Sequence, residues 1–140
     1  MAYWIMKTEP ETFSFDDLVR DGKTVWDGVR SYEARNNIRK MNVDDKVFIY
    51  HSGKEKSIVG LAKVSKSAFV DPTDDTGTWS SVEIVPMGRV ENHISLKELK
   101  ENTLTNTIPL VKKSRLSVSE IPENVYLLLE KQGKIMKNSN

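Results

Sequence analysis

The chain of 140 residues contains no cysteine. That absence excludes disulfides, thiolate zinc sites and a thiol nucleophile, and it favours an intracellular setting. Histidine is nearly as scarce: only His51 and His93 occur, too few for a histidine-rich metal centre. No apolar run approaches the roughly 18 residues that a transmembrane helix needs. The opening MAYWIMKTEP has no charged leader ahead of a long apolar stretch, so no signal peptide is expected. An excess of either charge is missing too. The net charge is +1, so no global field draws the chain onto DNA or a membrane, and attraction to nucleic acid must be local.

What remains is ordinary globular material. With 38% hydrophobic and 29% charged residues, the sequence predicts one ordered domain over 1–133, with a frayed tail over 134–140. A cytoplasmic location is expected, or a nuclear one if the source is eukaryotic.

Tyr3-Trp4-Ile5-Met6, stopped by Pro10, reads as a buried first strand. Ser14 caps a helix with Asp17 three residues on, and Gly22 closes it. A second helix is expected over 32–41 with Ser31 as its cap, burying Ala34, Ile38 and Met41 at helical spacing. Its Arg35 and Arg39 share another face, a like-charge pair that costs a few tenths of a kcal/mol unless something negative lies between them. Strands follow at 46–51 and 58–64, where Gly60 marks a bulge or a close backbone approach. A further strand is expected from Trp79 to about Val85. Ser95-Leu-Lys-Glu98 is a capping box, and Pro122 opens a last helix with a Val125, Leu128, Leu129 stripe and Gly133 as its cap. Five or six short strands with inserted helices indicate an α+β fold, a curled mixed sheet or small barrel.

The candidate chemistry begins at WDGVRSYEARNNIRK. Trp26 and Tyr32 flank an Asp27-Gly28 turn with Arg30 between them, and turns lie at the surface. A ring beside a cleft can stack on a nucleobase, a contact worth roughly 1–3 kcal/mol. The alternative is core packing with satisfied polar atoms, which fits Trp4 best because it stands inside an apolar strand. Lys7-Thr8-Glu9-Pro10 is a polar strand exit. His51 and Ser52 end another strand, with no hydrolytic triad pattern around them. The run Lys112-Lys113-Ser114-Arg115 is either solvated surface or a phosphate contact.

YWIMKTEPETFSFDDL, WDGVRSYEARNNIRKM, VFIYHS, IVGLAKV, FVDPT, WSSVEI, SLKELK and SRLSV, in this order, resemble the EVE domain family. The resemblance spans about residues 2–130. It implies a PUA-like fold related to YTH and ASCH domains, and a pocket for a modified nucleobase, most of all a modified cytosine, in DNA or RNA. Carried over, that pocket draws on Trp4, Lys7, Trp26, Val29, Arg30, Tyr32, His51, Ser52, Arg115 and Ser117, with Arg35, Lys112 and Lys113 on phosphates. No cofactor and no metal are implied. Two positions depart from the family pattern: Ser31 and Gly53 stand where asparagine is common, removing amides that could read a base edge. The alternative is a small hydrolase acting on a modified nucleoside or nucleotide, which requires Lys7, Glu9 and His51 to converge.

Overall fold

In the computed structural model, which describes residues 1–137, the first apolar run forms β1 (Tyr3–Thr8) inside a seven-stranded sheet. The other elements, in chain order, are α1 (Phe15–Asp21), β2 (Thr24–Trp26), α2 (Tyr32–Lys40), β3 (Lys46–His51), β4 (Ser57–Val70) and β5 (Ser80–Ser95), followed by α3 (Leu96–Glu101), α4 (Pro109–Lys112), β6 (Val118–Ile121), α5 (Glu123–Gly133) and β7 (Ile135–Lys137). The strand order is β2-β5-β4-β3-β1-β6, with β7 joined to β5. β1 pairs with β3 in parallel, and the remaining pairs are antiparallel. The sheet curls without closing. Helix α2 packs against β6 at one end of this path and against β5 and β4 towards the other.

Both faces of the sheet are buried, which explains the near-continuous apolar runs. Neighbouring residues of a strand point to opposite faces. Trp4 and Met6 therefore join one core with Phe15, Leu18, Ala34 and Ile38, while Ile5 joins the other with Phe48, Val125 and Leu129. The helix starts follow local capping chemistry. The Ser14 hydroxyl accepts from the Asp17 N–H and the Asp17 carboxylate accepts from the Ser14 N–H, and Ser95 and Glu98 repeat the arrangement. Ser31 caps α2 as expected, and Ala34, Ile38 and Met41 are buried.

Several boundaries differ from expectation. The sheet has seven strands where five or six were expected; β2 and β7, each of three residues, were not placed from the sequence. Two strands run further than expected, β4 to Val70 and β5 to Ser95. Residues 135–137 are not frayed: they pair with β5 at Val90, Arg89 and Gly88. Residues 138–140 lie outside the described residues. Gly133 is the last residue of α5 rather than its cap, and Lys134 takes the left-handed conformation at φ 51°. Pro122 stands at the N-cap rather than inside the helix. Leu128 is half-buried, and Tyr126 takes the core position beside Val125 and Leu129.

The β4–β5 pair is interrupted by register shifts, one of them at Ile58/Gly60. Each shift bends the ribbon and lets it curl. Gly60 is also a contact point: a Cβ there would stand 2.2 Å from a Phe15 ring carbon. The glycine is what lets α1 lie flat on the sheet. Gly60→Ala is expected to lower stability by about 1–3 kcal/mol through overpacking. The check is a fall in urea midpoint at unchanged slope, partly restored by Phe15→Leu.

Candidate functional site

A cleft of about 490 Å³ opens where β1 leaves the sheet. Its walls come from three stretches far apart in sequence: from Lys7 at the end of β1 to Phe13 ahead of α1, β2 and the segment that follows it to Arg30, and Ser117 before β6. Trp26 is half-buried. One part of its indole packs on the core and meets Phe13 edge-on at 6.4 Å, and the ring also lines the cleft. Among the described residues nothing accepts a hydrogen bond from the Trp26 indole N–H.

The floor at β1 is held by short-range bonds. The Thr8 hydroxyl donates to the Phe13 carbonyl at 2.7 Å, and the Glu9 carbonyl accepts from the N–H groups of Thr12 and Phe13. Lys7 is tied to the 114–117 segment twice. Its N–H donates to the Ser117 carbonyl at 2.9 Å and its Nζ donates to the Ser114 carbonyl at 2.6 Å. Partial burial pushes the Lys7 amine below its ordinary value. It lies 5.9 Å from the Tyr50 ring centroid.

The Trp26–Arg30 wall is fixed by one buried carboxylate. Asp71, whose side chain is fully buried, accepts from the Gly28 N–H at 2.8 Å and from Arg30 Nη1 at 3.0 Å through one oxygen. The other oxygen accepts from the Thr73 N–H at 2.7 Å and the Thr73 hydroxyl at 2.6 Å. Burial pushes this carboxyl up, but the donors of Thr73, Gly28 and Arg30 outweigh it and hold Asp71 well below the usual carboxylate range. Gly28 sits at φ 80°, a left-handed conformation that glycine adopts without strain. Asp71 therefore sets where Trp26 and Val29 stand.

Of the residues singled out from sequence, Lys7, Trp26, Val29, Arg30 and Ser117 meet in this cleft. The others do not. Trp4 is 1% exposed, and its indole N–H donates to the buried Asp45 carboxylate at 3.0 Å, so it belongs to the core. His51 is buried: its Nε2 accepts the Phe15 N–H at 3.0 Å, which leaves the ring proton on Nδ1 towards Glu55, 3.1 Å away. The imidazole anchors the start of α1. Ser52 bonds the Thr8 carbonyl and lines a separate acidic depression with Glu9, Glu11 and Glu55. Arg115, Lys112 and Lys113 form a neighbouring shallow cup, where Lys113 pairs with Glu33 at 2.7 Å. Tyr32 does not line the cleft and packs against Trp79. Arg35 donates to the Thr78 carbonyl at 3.1 Å, and Arg39 donates to the same carbonyl at 3.0 Å. This shared oxygen answers the like-charge pair on α2.

Ser31 and Gly53 do not line the cleft either. Ser31 is the N-cap of α2, a position where serine and asparagine are near-equivalent. Gly53 sits at φ 78°, where glycine and asparagine are again the favoured residues. Backbone geometry is enough to account for both exchanges, and Ser31 lines the neighbouring cup of Lys112, Lys113 and Arg115. Phe13 in the wall and Asp71 behind it were not singled out from the sequence. Phe13 gave no signal, whereas Asp71 stands in an Asp-Pro-Thr turn pattern that could have marked it as a loop clamp.

A curled, unclosed mixed sheet with a part-aromatic cleft at the exit of its first strand defines a PUA-like module. The chain belongs to the EVE domain family, whose model matches residues 2–132. Thymocyte nuclear protein 1 of Rattus norvegicus is 39% identical over 124 residues, covering 70% of this chain and 55% of that protein. The chain thus spans about half the length of this curated relative. The NMR structure of Rpa0253 from Rhodopseudomonas palustris superposes with a TM-score of 0.91 at 34% identity, covering 96% of this chain and 94% of that one. The human THYN1 protein, solved in complex with 5-methylcytosine containing DNA, superposes with a TM-score of 0.86 at 29% identity, covering 94% and 98%.

Asp71→Asn is expected to cost about 1.5–3 kcal/mol, the worth of hydrogen bonds to a charged group. Because the folded Asp71 pKa is depressed, its contribution is present at neutral pH and lost as pH falls below about 4. Urea midpoints of wild type and Asp71→Asn should therefore differ at pH 7 and converge under acid. Parallel curves over that range would contradict the assignment.

Proposed function

We propose that this chain is a nucleic-acid-binding module that takes one modified nucleobase, a modified cytosine, into the Trp26 cleft. The observation that carries the reading is the half-buried indole of Trp26 lining an open recess. An indole fixed by core contacts on one side and bare on another offers a planar surface without the entropy cost of ordering it. The cleft volume falls within the range of about 300–1,000 Å³ usual for small-molecule sites. Lys7, Thr8 and Ser117 supply polar groups for a base edge, and the indole N–H supplies one more donor. The complex of human THYN1 with 5-methylcytosine containing DNA supports modified cytosine as the ligand.

A base inside a duplex must leave the stack to reach such a recess, at a cost of a few kcal/mol. Phosphates beside the base are assigned to the cup of Lys112 and Arg115, which the Lys7–Ser114 bond joins to the cleft. The hydrolase alternative is the weaker reading, because both ring nitrogens of His51 are engaged with Phe15 and Glu55. The reading places the chain with intracellular nucleic acid, in the cytoplasm of a bacterium-like cell or the nucleus of a eukaryotic one. Among the described residues no helix is long and apolar enough to cross a membrane.

Trp26→Ala is expected to abolish binding to oligonucleotides bearing 5-methylcytosine while the circular dichroism spectrum stays that of the wild type. Normal binding by the folded variant would defeat the stacking role. Lys112→Ala and Arg115→Ala should weaken modified and unmodified oligonucleotides alike and reduce the salt slope by about one per lost phosphate contact. A change in base preference would place these residues at the base instead.

A further inference from the structure

We infer a second nucleotide-binding surface outside the cleft: a platform of Tyr32, Trp79 and two arginines that stacks the base next to the one held by Trp26. The inference rests on the cleft reading and extends it from one nucleotide to a short stretch of strand.

Tyr32 opens α2 two residues after Arg30 and, unlike Arg30, does not line the cleft. Its ring centroid lies 5.1 Å from that of Trp79 at a tilt of 32°, and the Arg35 guanidinium stands 4.9 Å from the Tyr32 centroid. Arg30 stands 5.6 Å from the Trp79 ring. In spite of these neighbours, Tyr32 keeps 63% of its surface exposed. A large ring held in place but left open is unlike a core aromatic. Packing here fixes the position of the ring without covering it.

The surroundings are rigid by construction. Asp74 accepts from the Thr76 N–H and hydroxyl and from the Trp79 N–H; the Thr76 donors, backbone first, and the Trp79 N–H hold its carboxyl down at about 2. Arg35 is oriented by the Asn36 side chain and by the Thr78 carbonyl. Exposed rings joined to guanidinium groups are the chemistry that grips single-stranded nucleic acid. Bases stack on the rings, and the cations face the phosphates.

Continuity selects the occupant. Arg30 lines the cleft and also stacks on Trp79, and Asp71 fixes both Arg30 and Gly28. The platform and the Trp26 wall are thus two faces of one clamped loop pair. A strand whose modified base enters the cleft passes its neighbouring base over Arg30 onto Tyr32.

The test uses the intact chain with three probes: 5-methyl-2′-deoxycytidine, a single-stranded pentanucleotide with 5-methylcytosine at its centre, and the same pentanucleotide with abasic sites flanking that base. Tyr32→Ala should weaken the full pentanucleotide about tenfold or more. It should leave the free nucleoside and the abasic probe unchanged, and Tyr32→Phe should restore wild-type affinity. Equal loss on all three probes, or no loss on the first pentanucleotide, overturns the platform. Trp26→Ala, run in parallel, separates the two readings. If it binds the nucleoside normally while Tyr32→Ala loses the pentanucleotide, the cleft assignment falls and the platform stands. Capture of a protein in place of any loss on nucleic acid overturns the platform as well.

Discussion

The Asp71 carboxylate is the constraint on which the functional end of this protein depends. It is fully buried and holds Arg30, Gly28 and Thr73 at once. A buried charge is tolerable only when its oxygens are satisfied, and here four donors do so. Because the donors come from two loops 43 residues apart, satisfying the charge also docks those loops on each other. The position of the Trp26 ring, the left-handed turn at Gly28 and the reach of Arg30 all follow from that docking.

The three tryptophans show how one residue type is divided by its surroundings. Trp4 is sealed in the core and spends its N–H on Asp45, which also receives the N–H groups of Ala2 and Asn42. Trp26 is half sealed and lines a recess. Trp79 lies under an arginine and beside a bare tyrosine. The same ring serves as core filler, cleft wall and platform. Composition could not have assigned these roles. The arginines follow a similar logic. Arg30, Arg35 and Arg39 crowd one short stretch, yet each has an acceptor contributed by residues 71–80.

Much of the fold was legible in the sequence where the causes were local. Ser14, Ser31 and Ser95 announced three helix starts because a cap and its partner lie within four residues. Gly60 announced a bulge because a glycine within an apolar strand has few other uses. The short β2 and β7 were not legible: three residues carry no periodicity, and their pairing is decided wholly by β5. Half of the nominated pocket residues lie outside the cleft for the same reason. His51, Ser52 and Tyr32 stand beside the right motifs, but adjacency in sequence does not say which way a side chain turns at a strand end or a helix start.

By itself, then, the amino-acid order determined the mixed α+β character, the caps, the apolar strand runs and the family, since each rests on interactions spanning a few residues or on a long run of motifs. Tertiary structure alone decided the cleft. Its walls meet through the Lys7–Ser114 bond across 107 positions and the Gly28–Asp71 bond across 43. Contacts of that span exist only after the sheet has curled and brought the loops together. Until then, nothing distinguishes a tryptophan that will be buried from one that will be left half open.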